Sequence, residues 1–457
     1  MKTPKKISSK LFFTISSTLT AIAISWMAPP AAWSKQDGVD FAGYLRAGTG
    51  FSLYGGKQNC FNNYGTAGNE FRLGNECSIY GEATTRVHFA QAKNPGDPFF
   101  NSTLTMAFFP PGNSQYEDND SDGRDINVVE AYAEGGNWDG FKLTYWAGKR
   151  FYRASDLHMN DFYYFAAMNG NGGGVGDIDV NFGKLKLAIL QEASNAQTTS
   201  GQLGKIALDA QITDISLKGL GEFSTNDSLH LWAVAATTAP GYDVSNSKKY
   251  EAGKGFVLGA RHHHSLAEGF SQLALMYGNG VMESLSLGGG TSIDTTPGNI
   301  STINDASRLR IVEQVTTKFN SSWAAQAAAV YEKRDNGASS DSGSTWWDIG
   351  ARPVYFITDH FHLMGEVGHS VVSDDSERKN GSRIGARHLT RITLAPQVSL
   401  GPDFFARPVI RAYVTHSFWN DANKVSMAGS HAIAGANSPY GETLSGTSIG
   451  VQTEVWF

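Results

Sequence analysis

The chain has 457 residues, a formal net charge of −6, 51 glycines, 41% hydrophobic, 18% charged and 12% aromatic residues. Apart from one N-terminal stretch it has no apolar run of the roughly 20 residues that a transmembrane helix needs, which excludes a polytopic helical membrane protein. The aromatic content excludes a disordered chain, and the acidic balance argues against nucleic acid, which selects a basic face.

Lys2, Lys5, Lys6 and Lys10 precede an apolar run from Leu11 to Met27, and Ala32-Trp33-Ser34 sets small residues where a signal peptidase reads them. The run contains several Ser and Thr and ends at Pro29-Pro30, which favours a cleaved export signal over an uncleaved membrane helix. The expected division is a signal peptide over residues 1–34 and one transmembrane β-barrel domain over residues 35–457. Losing four lysines takes the net charge to about −10. Cys60 and Cys77 are the only cysteines, and in an exported chain an even, minimal count suggests one disulfide.

From Val39 onward several stretches alternate at period two, the strand signature. Val39, Phe41, Gly43, Leu45 and Ala47 oppose Asp40, Ala42, Tyr44 and Arg46. Cys77, Ile79, Gly81, Ala83, Val87 and Phe89 oppose Glu76, Ser78, Tyr80, Glu82, Thr84, Arg86 and His88. Ala406, Pro408, Ile410, Ala412 and Val414 oppose Phe405, Arg407, Val409, Arg411 and Tyr413. The last strand sets Val451, Thr453, Val455 and Phe457 against Gln452, Glu454 and Trp456. A soluble sandwich would fill its apolar face with bulky aliphatics, whereas this face is rich in Ala, Gly, Val and Phe, as suits a surface turned to lipid. The chain ends on an outward aromatic, Phe457. Short polar turns such as Asn226-Asp227 contrast with long Gly-, Ser-, Asn- and Asp-rich loops at 54–71, 111–124, 165–178, 279–305, 334–345 and 420–446. The length suits about 16–18 strands, enough to enclose an aqueous channel.

Parity also places five aromatics on polar faces: Tyr44, Tyr80, Phe270, Phe405 and Trp456. A plain ion pore lines its lumen with charges. Sugar rings present an apolar C–H face to aromatics and equatorial hydroxyls to charged side chains. Interfacial girdles, or packing under an inward loop, are the competing explanations at this level.

Several stretches in order carry a more specific likeness: Val39–Arg46, Arg72–Cys77 leading to Tyr80 and Glu82, Trp146–Tyr152, His158–Tyr164, Ile178–Leu185, Trp346–Pro353, Arg407–Arg411 and Glu454–Phe457. Together they resemble the maltoporin family of sugar-specific outer-membrane channels over nearly the whole mature length. The resemblance implies an all-β, 18-stranded antiparallel barrel in the bacterial outer membrane, a homotrimer, and a long third loop folded into each pore. It places the family's aromatic slide on the same five rings, with Tyr116 as the candidate ring lent by a neighbouring subunit. Its polar track maps onto Arg46, Arg72, Glu82, Arg124, Asp156, His158 and Asp161, its constriction tyrosine onto Tyr163, and its first-loop disulfide onto Cys60 and Cys77. Two positions depart: Ala154 replaces an Arg, though Arg153 is adjacent, and Ala166 replaces an Asp. These changes point to a wider or less selective constriction.

Other signals carry less. Asp118, Asp120 and Asp122 begin like an EF-hand loop, but Val129 stands at the twelfth position, so a solvated loop is favoured over a calcium site. His262-His263-His264 reads as a periplasmic strand end, because consecutive strand residues point to opposite faces. Gly170–Gly176 has no lysine or helix to make it a phosphate loop and reads as the flexible end of the inward loop. Glu82, Asp156 and Asp161 beside arginines in a wet lumen should stay ionised, unlike the protonated acid of a glycosidase. No enzyme activity, cofactor or resident metal is expected. The expected substrate is maltose, maltodextrins or related oligosaccharides, passed by facilitated diffusion. The alternatives are a general porin or one selective for another sugar such as sucrose or a β-glucoside. The expected surroundings are outer-membrane lipid and two further copies of the chain, with room for a periplasmic sugar-binding protein at the turns.

Overall fold

The computed structural model describes residues 34–36, 38–56, 58–68, 70–108, 126–191, 205–218, 223–238, 241–243, 248–250, 252–287, 304–379, 382–424, 440–441 and 443–457. Tyr116, Arg124 and the Asp118–Asp122 cluster lie outside the described residues, as do residues 1–33 of the expected signal.

Among the described residues eighteen long antiparallel strands form the wall: β1 (Val39–Ser52), β2 (Tyr80–Ala90), β3 (Phe99–Phe108), β4 (Ile126–Gly136), β5 (Thr144–Arg150), β6 (Gly170–Asp179), β7 (Lys184–Gln191), β8 (Lys205–Ser216), β9 (Asp227–Thr238), β10 (Gly253–Leu266), β11 (Gly269–Gly280), β12 (Ser307–Asn320), β13 (Trp323–Asp335), β14 (Gly343–Phe356), β15 (Phe361–Asp374), β16 (Arg387–Ser399), β17 (Val409–Trp419) and β18 (Ser445–Trp456). Each pairs with its chain neighbours, and β1 also pairs with β18 from Tyr44↔Trp456 to Ser52↔Ser448, so the sheet closes on itself. Closure leaves no free edge, the condition for a sheet to stand in lipid. A short strand, Ser34–Gln36, folds back on Val39–Phe41.

The faces alternate as period two requires. Along β17, Val409, Arg411, Tyr413 and Thr415 are buried inside while Ile410 and Val414 face outward. Leu208, Leu258, Ile349 and Ile410 on the outer surface are more than half exposed, which in water would be a liability and in a bilayer is the binding surface. Phe457 follows the last strand and exchanges backbone hydrogen bonds with Gly43 (2.9 and 3.1 Å), sealing the β1–β18 seam.

One expectation fails. Residues 165–178 are not a loop: the inward loop spans 151–169, and Gly170–Asp179 is β6, paired with β5 and β7. Glycine hides this strand from pattern reading, since it offers no side chain to alternate. It is needed here for space. A Cβ on Gly174 would lie 2.6 Å from the Trp146 Nε1, and one on Gly172 would lie 2.2 Å from the Ile189 carbonyl oxygen. The second strand is also shorter than its alternation: Glu76–Ile79 belong to loop 1, and β2 begins at Tyr80.

Two loops fill much of the lumen. Loop 1 (53–79) is stapled by the Cys60–Cys77 disulfide, with Cα atoms 5.9 Å apart. Its Phe71 ring sits on Gly350 and Gly368 of the far wall, where any side chain would collide with it. Buried Arg391 donates to the Phe61 and Glu70 carbonyls. Loop 3 (151–169) presses Leu157, Met159, Tyr164, Phe165 and Met168 into an apolar cluster with Trp232, Val257, Met276, Val312 and Trp346. This burial is one-sided. The apolar side of loop 3 lies on the β9–β14 wall, and the polar side faces the β1–β2 and β17–β18 wall.

Candidate functional site

Tyr80 stands at the loop end of β2, Tyr44 is in mid-β1, Trp456 ends β18, and Phe405 lies in the short turn before β17. The Tyr44 ring is 5.8 Å from Tyr80 and 6.4 Å from Trp456, the latter pair stacked at 21°. His158 of loop 3 meets Trp456 edge-on at 6.1 Å and Phe405 at 5.6 Å. The result is a line of rings, half-buried Tyr80, Tyr44 and Trp456, then buried His158, then half-buried Phe405, running from the loop end to the turn end along one wall. Phe270 is inward on β11 and stacks on His263 at 6.0 Å, seven strands away from β18, so the structure sets it apart from the other four.

Beneath the rings lies an ion network. Glu454 pairs with Arg72 (3.0 Å), Arg407 (2.7 Å) and Arg411 (2.9 Å), and accepts a hydrogen bond from the Tyr44 hydroxyl (3.1 Å). Arg407 also lies 4.4 Å from the Trp456 ring centroid, a cation–π contact that holds the indole. Glu76 joins Arg46 (2.5 Å) to Arg72 (2.6 Å), and both arginines reach Asp161, at 3.0 and 3.7 Å. Arg46 and Arg72 keep only 6% of their side chains exposed, whereas Asp161 keeps 35%. The arginines therefore position Asp161, and Asp161 is the member open to the lumen. Burial alone would raise its carboxyl, but Arg72 and Arg46 outweigh that and hold it below the ordinary range.

At the constriction the Arg153 guanidinium lies 3.4 Å from the Tyr163 ring centroid and 4.0 Å from that of Phe151. Glu82, hydrogen-bonded by the Tyr80 hydroxyl, and Asp156 belong to its electrostatic surroundings. Burial pushes the Asp156 carboxyl up to about 6, partly offset by Arg153. Burial likewise holds His158 well below the usual imidazole range, so it is neutral. Ala154 packs against the apolar cluster, and Ala166 is fully buried within it with φ +52°. Both substitutions thus fall on the packed side of loop 3, and the adjacent Arg153 lies against Tyr163 and Phe151.

Sequence reading placed Glu76 on the polar face with Tyr80 and Glu82 but did not see that it bridges Arg46 and Arg72. It placed Arg407, Arg411 and Glu454 on the inward face without seeing that one carboxylate serves three guanidiniums. His262 and His264 do end a strand at the short-turn side, each 2.9 Å from Asp227. Among the described residues no cluster of His, Cys, Asp or Glu could hold a metal ion.

The LamB porin family model matches residues 39–457. The chain belongs to the LamB porin family. As a LamB porin it is a multi-pass β-barrel channel protein of the bacterial outer membrane. Similar solved structures include a BenF-like porin from Pseudomonas fluorescens Pf-5 (8% identity, 93% of this chain and 100% of that one, TM-score 0.45). Others are OmpF of Salmonella typhi in complex with daunomycin (11%, 92% and 99%, 0.43) and the outer membrane channel DcaP of Acinetobacter baumannii (10%, 93% and 100%, 0.42).

Proposed function

We propose that this LamB porin is a sugar-specific channel, passing maltodextrins or related linear oligosaccharides by facilitated diffusion down their gradient. The observation that carries the reading is the line of four aromatic rings bridged by neutral His158 on one wall. Spaced ring faces offer successive sugar units equivalent stacking sites, so a chain can move from one to the next without leaving the wall. Asp161, Asp156, Glu82 and Arg153 supply acceptors and a donor for the hydroxyl edges. Multiple weak contacts suit transport, because conduction needs binding loose enough to release. The open carboxylate Asp161 is clamped by two arginines and serves as a fixed hydrogen-bond acceptor. The family resemblance supports a homotrimer, and the N-terminal sequence supports export by a cleaved signal.

The test is single-channel current in a planar bilayer while maltotriose, maltohexaose and sucrose are titrated. Saturable block by a maltodextrin is the expected result. An open channel that no sugar blocks at millimolar concentration overturns the reading in favour of a general porin.

A further inference from the structure

Loop 3 brings two groups to the ring row, His158 and Asp161, and both sit on one short turn. His158–Asn160 form a 3-10 turn that Asp161 closes in the left-handed region, at φ 48°. The turn's own closing bond, from the Asp161 N–H to the His158 carbonyl, is 3.4 Å long. That exceeds the roughly 2.7–3.2 Å of an ordinary N–H···O bond. The turn therefore does not hold itself, and its position is set from outside.

The outside anchors converge on Asn160, which lies between the two groups and is fully buried. Its Nδ2 donates to the Asp348 carboxylate on β14 of the far wall (2.9 Å), and its Oδ1 accepts from the Phe71 N–H of loop 1 (3.4 Å). Beside it the Arg72 N–H donates to the Met159 carbonyl (2.8 Å). Gly68 of loop 1, at φ +69°, lies so close that a Cβ there would be 2.2 Å from the Asn160 carbonyl oxygen. The turn is thus wedged between loop 1 and the wall away from the rings. Position 160 has to give one hydrogen bond and take another. An amide does both, whereas a carboxylate only accepts and an aliphatic side chain does neither. Asp348 is itself buried, so a second carboxylate at position 160 would face it at hydrogen-bond distance in a poorly screened site.

We propose that Asn160 is a positioning residue for sugar binding. Through its bond to Asp348 it fixes the turn where the His158 imidazole bridges Trp456 to Phe405 and the Asp161 carboxylate meets the hydroxyl edge of the sugar. Being fully buried, it acts on the sugar only through these neighbours. The inference rests on the sugar-channel reading and adds to it the part that holds the track in register from the far wall. A turn that slips loses contacts in the bound state, and losses of that kind appear in dissociation more than in association.

The experiment reads association and dissociation rates of maltohexaose from single-channel current fluctuations. Asn160→Asp removes the donor and sets two carboxylates against each other. Asn160→Asp combined with Asp348→Asn reverses the bond: the amide at 348 donates to the carboxylate at 160, which still accepts from Phe71, and the total charge is unchanged. For Asn160→Asp the expected result is dissociation faster by about tenfold, the worth of a charge-assisted bond, with association within about twofold. The paired substitution should bring dissociation back to within about threefold of the unsubstituted channel. A role in loop packing alone would change association and would not follow the sign of the pair. Unchanged dissociation in Asn160→Asp, or a loss that the paired substitution does not recover, overturns the positioning role. If Asn160→Asp alone yields no channels, the paired variant decides: recovered dissociation supports the role and fast dissociation overturns it. Absence of block in the unsubstituted channel overturns the sugar-channel reading and this role with it.

Discussion

Replacing Glu454 by Gln removes one negative charge and almost no volume. The carboxylate serves Arg72, Arg407 and Arg411 at 3.0, 2.7 and 2.9 Å, and is 2% exposed. Arg72 has Glu76 in reserve at 2.6 Å. Among the described residues Arg407 retains only the Ala406 and Phe404 carbonyls and His158, and Arg411 retains no carboxylate partner. Two guanidiniums thus lose a charge-assisted bond worth about 1.5–3 kcal/mol each, for a local cost of roughly 3–5 kcal/mol, the range for breaking a buried ion pair. Arg407 is also the cation under Trp456, so the indole loses its anchor and the row loses its fixed spacing. Maltohexaose affinity, read from current block, is expected to fall at least about tenfold, equivalent to 1.4 kcal/mol, and the reversal potential in a salt gradient should move toward anion preference. Affinity within twofold and an unmoved reversal potential would refute the claim that Glu454 organises the track.

Trp456→Ala and Phe405→Ala should each weaken sugar block by about tenfold, whereas Phe270→Ala should do less, because Phe270 stacks on His263 away from the other rings; equal losses at all three would contradict the continuous row. Asp156 carries a carboxyl raised by burial to about 6, so it is ionised above that pH and neutral below it. Cation selectivity, measured as reversal potential, should therefore decline as pH falls through about 6, while Asp161, held low by its arginines, keeps its charge; Asp156→Asn should flatten that titration. Replacing both cysteines by Ser releases a closure between residues 17 apart, a loss of about 3 kcal/mol in a chain-entropy model. Guanidinium unfolding followed by tryptophan fluorescence should show the lower midpoint, with conductance retained because Phe71 and Arg391 still dock the loop.

The barrel was legible because lipid outside and water inside impose opposite chemistry on alternate residues. The same alternation found the inward rings on β1, β2, β11 and β18. It failed where side chains vanish, in the glycines of β6, and where the chain leaves the sheet. Phe405 belongs to a turn, not a strand, yet its ring still reaches His158. The family pattern named Arg46 and Arg72 as sugar contacts, but no linear sequence shows that Glu76 and Asp161 would bury them. Nor did the two alanines of loop 3 announce that they face the packed side. Those outcomes depend on which wall the loop leans against, a long-range choice made by Trp232, Met276 and Trp346.

The seam between the first and last strands has a consequence for biogenesis. Tyr44 and Trp456 are register partners across it, with Tyr80 one strand beyond and Phe405 in the turn before β17. The row of rings is thus split between the two ends of the chain and is complete only when the first and last strands pair. A chain whose first and last strands have not met lacks the Tyr44–Trp456 contact at the middle of that row.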